Sequence, residues 1–379
     1  MIRKIISVFL AVLCVTGSFE CRAIGVSASS AIVIDKMTGE VIYEKNARQR
    51  RSMASTTKIM TAICALENGN PEDMVKVHPK AVGVEGSSMY LGHGETVSLS
   101  DLVYGLMLAS GNDAAVAIAM HISGSVEAFA ELMNETARKI GVKDTNFKNP
   151  NGLDAQDHYT TAADLAAITR YAMCDKSFCD IVSTWSKKIP WQGRDYDRQL
   201  KNHNKLLKMY EGCDGVKTGF TKKSGRCLVS SATREGFQVI AVTLNAPDDW
   251  NDHISMLNYA FDNYECKPVL KAGEYVRGVQ AVNGACDIVK AVTEKGFDIP
   301  VKNGSQPDVE IKYNIADKVE APVNFGDSLG NAEIYYKGSL IGSVEIVSAS
   351  SCARVEPKTY IRSISKILRA YFLMYRRTC

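Results

Sequence analysis

The apolar pattern of this 379-residue chain changes character at about Cys266, and that change limits the architecture more than any other feature. Before it, β-rich runs alternate with helical spacing. Ala31-Ile32-Val33-Ile34 and Val41-Ile42-Tyr43 flank the turn sequence Asp35-Lys36-Met37-Thr38-Gly39, which predicts a hairpin. Ile59, Met60, Ile63 and Leu66 share a helical face that ends at Gly69 and Pro71. Further helices are expected over Leu102 to Ala109, Asp113 to about His121, Ser125 to Ile140, and Thr161 to Met173 with Thr161 as N-cap. Cys227 to Ala232 and Phe237 to Leu244 read as antiparallel core strands, and Trp250 to Tyr264 as a closing helix beside the first hairpin. From 266 to 352 only short strand-like runs appear, such as Ala285 to Val292, Val309 to Tyr313, Ala332 to Tyr336 and Ser343 to Val347. The expectation is an α+β domain over 24–265 and a small all-β domain over 266–355, the latter a spacer or interaction module.

The two ends differ from the body. Arg3 and Lys4 precede an apolar run from Ile5 to Val15, and small or polar residues lead to Cys21-Arg22-Ala23. This is the charged, apolar and small-residue order of a secretory signal peptide cut after Ala23, with an uncleaved anchor as the rival reading. At the other end, over 356–379, Ile361, Ile364, Ile367, Leu368, Tyr371 and Phe372 recur at helical spacing among Arg362, Lys366, Arg369, Arg376 and Arg377. A basic amphipathic helix of this kind lies in a membrane interface or docks on a protein surface, and the almost purely positive charge favours the membrane. A net charge of only +3, with no basic patch and interleaved aromatics in the body, argues against nucleic acid as a partner.

Cys14 and Cys21 fall in the leader, and the other nine cysteines are scattered without Cys-x-x-Cys pairs. That is neither a disulfide framework nor a zinc site. The expectation is mostly free, buried thiols, and for an exported chain a poorly oxidising habitat.

Three short stretches carry chemistry. In Ser52-Met53-Ala54-Ser55-Thr56-Thr57-Lys58-Ile59-Met60, read as a helix start, Ser55 and Lys58 share one face at the positive end of the helix dipole. A lysine with a lowered pKa can activate such a serine. An ordinary capped helix with a solvated lysine fits the same spacing, which recurs at Ser363 and Lys366. Ser110-Gly111-Asn112 interrupts two strongly apolar helices, either as a simple turn or with Ser110 and Asn112 directed into a cleft. Lys217-Thr218-Gly219-Phe220 opens a strand, where Lys217 is a surface or a site residue and Gly219 would let a ligand backbone lie close. His158, a lone histidine before a helix, reads as structural.

The order Ser55-x-x-Lys58, Ser110-x-Asn112, Lys217-Thr218-Gly219 is that of β-lactamases and penicillin-binding proteins, with Gly111 at the usual Asp position. Together with Ala54-Ser55-Thr56-Thr57-Lys58-Ile59-Met60-Thr61 and Asp214-Gly215-Val216-Lys217-Thr218-Gly219, it resembles the D-alanyl-D-alanine carboxypeptidases, the low-molecular-mass penicillin-binding proteins, over essentially the whole chain. The resemblance implies a β-lactamase/transpeptidase-like domain, an antiparallel sheet with helices on both faces. It implies a peptidoglycan stem peptide ending in D-Ala-D-Ala as substrate, β-lactam antibiotics as inhibitors, and no metal or organic cofactor. It further implies Ser55 as acyl-ester nucleophile, Lys58 as proton acceptor, Ser110 as proton relay and Asn112 as a positioning group. Lys217 and Thr218 would bind the terminal carboxylate beside Gly219, and the backbone N–H groups of Ser55 and Phe220 would form the oxyanion hole. The implied location is the outer face of the bacterial cytoplasmic membrane. Alternatives on the same fold are a β-lactamase, a DD-transpeptidase or a non-catalytic wall-binding protein. No Glu occurs from Thr136 to Tyr210, where class A β-lactamases carry the glutamate that activates the deacylating water, so stable acylation by penicillin is expected.

Overall fold

The computed structural model describes residues 24–355 and 363–370. The leader expected over 1–23 and most of the tail expected over 356–379 lie outside the described residues.

The first domain is built on a five-stranded antiparallel sheet. The hairpin strands β1 (Ser30–Asp35) and β2 (Val41–Lys45) form as the apolar runs predict. The nucleophile segment, a 3-10 turn over Ala54–Thr57, runs into helix α1 (Lys58–Asn68). A short ladder follows, β3 (Met74–Lys76) with β4 (Thr96–Ser98). Then come α2 (Leu99–Met107), α3 (Asn112–Ser123), α4 (Val126–Ile140), α5 (Ala162–Ala172) and α6 (Lys176–Ser183). The caps explain the helix boundaries: Ser98, Ser125, Thr161 and Asp175 each accept a hydrogen bond from a first-turn N–H, and Gly124 and Gly141 end α3 and α4 in left-handed conformation. A second small hairpin, β5 (Ser186–Ile189) with β6 (Arg198–Lys201), and one turn of helix, α7 (Leu206–Met209), lead to the remaining sheet strands β7 (Cys213–Thr221), β8 (Gly225–Arg234) and β9 (Phe237–Leu244). Strand order is β2-β1-β9-β8-β7, so β7 is an edge strand.

Both faces of this sheet are covered. Ile32, Ile34, Val229, Ile240 and Val242 face the helices α1 to α6. Ala31, Val33, Leu228, Val239 and Ala241 face α8 (Asp249–Asn263) through Met256, Leu257 and Ala260. Burial on both sides is why these strands read as continuous apolar runs. Asp252 of α8 accepts hydrogen bonds from Ser27 N (2.7 Å), Ser27 Oγ (2.8 Å) and Ala28 N (2.9 Å), tying the closing helix to the strand that leads into β1.

The second domain follows α8 directly. Strand β10 (Tyr264–Leu270) pairs with β13 (Phe297–Lys302). A six-stranded sheet is formed by β11 (Tyr275–Val282), β12 (Ile288–Thr293), β14 (Glu310–Ile315), β15 (Lys318–Glu320), β16 (Ser328–Tyr336) and β17 (Ser339–Ser348), in the order β14-β16-β17-β12-β11-β15. Its core is Val279, Val289, Ile334, Val344 and Ile346. Tyr336 Oη and Lys337 Nζ reach Glu40 of the first domain, the lysine at 3.5 Å.

The expectation of mostly free, buried thiols holds in part: six described cysteines are free, while Cys286 and Cys352 form a disulfide across 66 residues, and the habitat drawn from free thiols loses that support. Cys64 and Cys227 are buried and free as expected. The polar segment from Trp185 to Tyr210, which shows no apolar periodicity in the sequence, contains the β5–β6 hairpin. Its strands hide from an apolar-periodicity reading because they are held by polar groups: Arg198, itself buried, donates to both carboxylate oxygens of Glu95 at 2.9 and 3.0 Å.

Candidate active site

The α-helix begins at Lys58, three residues later than a helix start that includes Ser55 would have it; Ser55 sits in the preceding 3-10 turn. Ala54 opens that turn in left-handed backbone, at φ 47°. Both residues stay on one face, because i and i+3 eclipse in a 3-10 turn. Lys58 Nζ donates to Ser55 Oγ at 2.9 Å, to Asn112 Oδ1 at 2.6 Å and to the Asn151 carbonyl at 2.6 Å. All three ammonium hydrogens of Lys58 thus have acceptors, and none of those acceptors is an anion. Lys58 is completely buried. Burial first, and then the charge of Lys217, hold its pKa well below the ordinary lysine value, against an opposing pull from Asp113. That carboxylate is occupied by Ser88 Oγ, Met89 N and Leu91 N.

The Ser110-Gly111-Asn112 break is hydrogen-bonded through the main chain of Gly111 and Asn112. Gly111 N donates to Gly105 O (3.1 Å) and Asn112 N to Ser87 O (2.7 Å). Ser110 is held at φ 58°, and its side chain lines the cleft. Asn112 is buried with its amide orientation fixed: Lys58 only donates, so Oδ1 faces it, and Nδ2 donates to Glu85 O at 2.5 Å.

Edge strand β7 forms the opposite wall. Lys217 is mid-strand and 2% exposed, not a surface lysine. Its Nζ donates to the Thr218 carbonyl at 2.9 Å, and burial lowers its pKa to about 7. Thr218, Gly219 and Phe220 line the same cleft as Ser55 and Ser110, a space of about 320 Å³ completed by Ser87, His203, Lys205, Arg226, Asp249 and Trp250. Phe220 leaves its ring 65% exposed. A Cβ on Gly219 would lie 3.0 Å from Ser55 N and 3.1 Å from Thr56 N, so its bareness also admits the turn that carries Ser55.

The sequence reading missed two positions. Asn151 supplies the third acceptor to Lys58 through a main-chain carbonyl, which has no residue-type signature. Gly152, at φ 87°, packs so tightly that a Cβ would lie 2.0 Å from Ala54 O; the turn-forming composition of Asn149-Pro150-Asn151-Gly152 is the signal it carries. His158 is structural. Its Nδ1 accepts from Lys148 N at 3.0 Å, leaving Nε2 to donate to Thr57 Oγ1 at 2.9 Å, and burial lowers its pKa to about 4.

A serine hydroxyl bonded to a buried lysine of lowered pKa, facing a second buried lysine on an edge strand, is an arrangement suited to an acyl-transferring serine enzyme. Comparison with known proteins narrows the class. The family model for D-alanyl-D-alanine carboxypeptidase matches residues 18–248, and that for the C-terminal domain of penicillin-binding protein 5 matches 264–354. The D-alanyl-D-alanine carboxypeptidase DacF of Bacillus subtilis (strain 168) is 33% identical over 344 residues, 88% of each chain. Penicillin binding protein 5 from Haemophilus influenzae superposes with a TM-score of 0.62 at 29% identity, over 87% of this chain and 98% of that one. A variant of the Streptomyces K15 DD-transpeptidase gives 0.60 at 34% identity, over 63% of this chain and 99% of its own. The chain belongs to the D-alanyl-D-alanine carboxypeptidase family, and it is a serine-type peptidase with the penicillin-binding fold.

Proposed function

We propose that the enzyme removes the terminal D-alanine from peptidoglycan stem pentapeptides through an acyl-enzyme on Ser55. The observation that carries the reading is the contact of Lys58 Nζ with Ser55 Oγ at 2.9 Å, in a site where Lys58 has no anionic partner. Ser55 Oγ attacks the carbonyl carbon of the penultimate D-Ala as Lys58 takes its proton. The oxyanion is stabilised by the backbone N–H groups of Ser55 and Phe220. The amide C–N bond then breaks, Ser110 relays a proton to the departing amine, and water releases the shortened peptide. Lys217 and Thr218 hold the terminal carboxylate, which confines cleavage to the last residue. Among the described residues that line the cleft, the one carboxylate is Asp249, and Arg226 Nε donates to it at 3.0 Å. No free carboxylate stands ready to activate water on a penicilloyl ester, in keeping with inhibition by β-lactams and against fast β-lactam hydrolysis.

The test is D-Ala release from a Lys-D-Ala-D-Ala peptide followed over pH. Rate should rise with pH as Lys58 loses its proton, because the neutral amine is the base. It should fall as pH passes about 7, where unliganded Lys217 loses the charge that binds carboxylate. A bound carboxylate stabilises protonated Lys217, so the descending limb of kcat should lie at higher pH than that of kcat/KM. A kcat/KM flat from neutral to alkaline pH would remove Lys217 from carboxylate binding. Transfer to an added amine outrunning hydrolysis would favour the transpeptidase reading.

We further propose that the leader exports the chain and that the tail holds it on the outer face of the cytoplasmic membrane. Residues 363–370 are helical, and Ile364, Ile367 and Leu368 are exposed on them. No single helix among the described residues is long and apolar enough to cross a membrane, and a basic amphipathic helix attaches by lying in the interface. A chain ending at Glu356 should leave the membrane fraction with its peptidase activity intact; continued retention would place the anchor elsewhere.

A further inference from the structure

The β5–β6 hairpin and the loop after Ser87 lie outside the catalytic machinery, yet they present large rings to solvent. Tyr90 is 74% exposed and Tyr196 56% exposed. Trp191 meets Tyr196 edge to face at 5.7 Å between ring centres. Arg194 and Arg198 flank the indole, with Cζ 5.7 and 4.6 Å from its centre. Tyr90 is not a loosely held surface residue. Its backbone is left-handed, at φ 62°, a conformation that costs a bulky residue energy. It is pinned on both sides: its N–H donates to Ser88 Oγ at 2.8 Å, and its carbonyl accepts from Arg198 Nη2 at 3.1 Å. Arg198 is in turn locked by the buried ion pair with Glu95, and Gln192 of the hairpin accepts from Thr96 N at 2.7 Å. A buried charge pair and a strained backbone thus fix the main chain that carries an exposed ring.

The position of this patch indicates its partner. Ser87 lines the active-site cleft and its carbonyl accepts from Asn112 N. Tyr90 is three residues further on, so its Cα lies within about 11 Å of that of Ser87. Arg198, which holds the Tyr90 carbonyl, also stacks on Trp191, so the patch borders the cleft on the side of Ser87. Resting on the reading of the substrate as a peptidoglycan stem peptide, what leaves the cleft beyond the peptide is the sugar to which the peptide is attached. Sugars offer apolar C–H faces that stack on aromatic rings, and the acetamido carbonyls of amino sugars accept hydrogen bonds from arginine.

We propose that Tyr90, Trp191 and Tyr196, with Arg194, form a platform for the N-acetylated glycan that carries the stem peptide. The enzyme then recognises its substrate at two places, the D-Ala-D-Ala end in the cleft and the sugar on the platform, and the rings act on binding and not on chemistry.

The experiment compares D-Ala release by the full chain from a free stem pentapeptide and from the same pentapeptide carried on its disaccharide. The wild type should show a lower KM for the disaccharide-linked substrate. Combining Tyr90→Ala with Tyr196→Ala should reduce kcat/KM for that substrate about 5–10-fold, through KM, with the free peptide unchanged, in line with the worth of stacking on two rings. The penicillin acylation rate of the variant serves as the folding control. If it changes, Tyr196→Ala alone, at the hairpin loop, gives the same comparison. Equal KM for the two substrates in the wild type, or an undiminished preference in the variant, overturns the platform. Absence of D-Ala release from both substrates by the wild type would instead overturn the peptidase reading on which it rests.

Discussion

Lys58→Arg is expected to slow acylation of Ser55 by about 10²–10⁴-fold, for penicillin and for peptide alike. The variant separates two roles that lysine combines. Arginine keeps a positive charge near Ser55 and Asn112 but cannot give up its proton, so it cannot accept one from the hydroxyl. In the native site Lys58 is buried, bonded to Ser55, Asn112 and Asn151 through neutral oxygens alone, and opposed by a second cation. Burial and the second cation favour the neutral amine, and they outweigh the three acceptors, which favour the ammonium. The loss should appear in the second-order rate of β-lactam acylation measured by stopped flow. Deacylation of a preformed adduct offers a second reading, since Lys58 is assigned to the first step. Rates for Lys58→Arg within a few-fold of wild type would mean that Lys58 only positions Ser55.

Gly152→Ala is expected to cost both stability and at least about 10²-fold in acylation, because displacement of a nucleophile by about 1 Å has that effect. Gly152 has φ 87°, which disfavours any side chain, and an added Cβ would stand 2.0 Å from Ala54 O, 2.4 Å from Ala54 C and 2.9 Å from Ser55 N. These are backbone atoms of the nucleophile turn and cannot rotate away. Either the 149–152 turn withdraws, taking the Asn151 carbonyl from Lys58, or the turn carrying Ser55 moves. Gly236→Ala is the control. Gly236 has φ 81° with nothing within 4 Å of its added Cβ, so it pays only the backbone term, about 1–2 kcal/mol. If the two variants acylate at equal rates, Gly152 is an ordinary turn glycine.

Much of the fold was legible because the local signals agreed. Strands buried on two faces read as unbroken apolar runs, and Ser125, Thr161 and Gly141 capped helices where their chemistry predicts. The contact between Ser55 and Lys58 was legible because the two meet within one turn, which spacing alone encodes. The roles assigned to Ser110, Asn112 and Lys217 needed the resemblance, since nothing local in the sequence joins them to Ser55. What stayed hidden was set by distance or by the main chain. The Asn151 carbonyl has no residue-type signature. The direction in which Gly219 is bare depends on which segment packs against β7. Cys286 and Cys352 are brought together only by the closure of the second domain's sheet. The β5–β6 hairpin rests on an Arg–Glu pair whose members are about a hundred residues apart in sequence.

The most direct test of the central claim is the mass of the adduct formed with a penicillin. The intact chain should gain the mass of one penicillin, stably, and peptide mapping should place it on the segment carrying Ser55, with Ser55→Ala unlabelled and inactive in D-Ala release. An adduct on another residue, or a Ser55→Ala protein that still labels and still releases D-Ala, would contradict it.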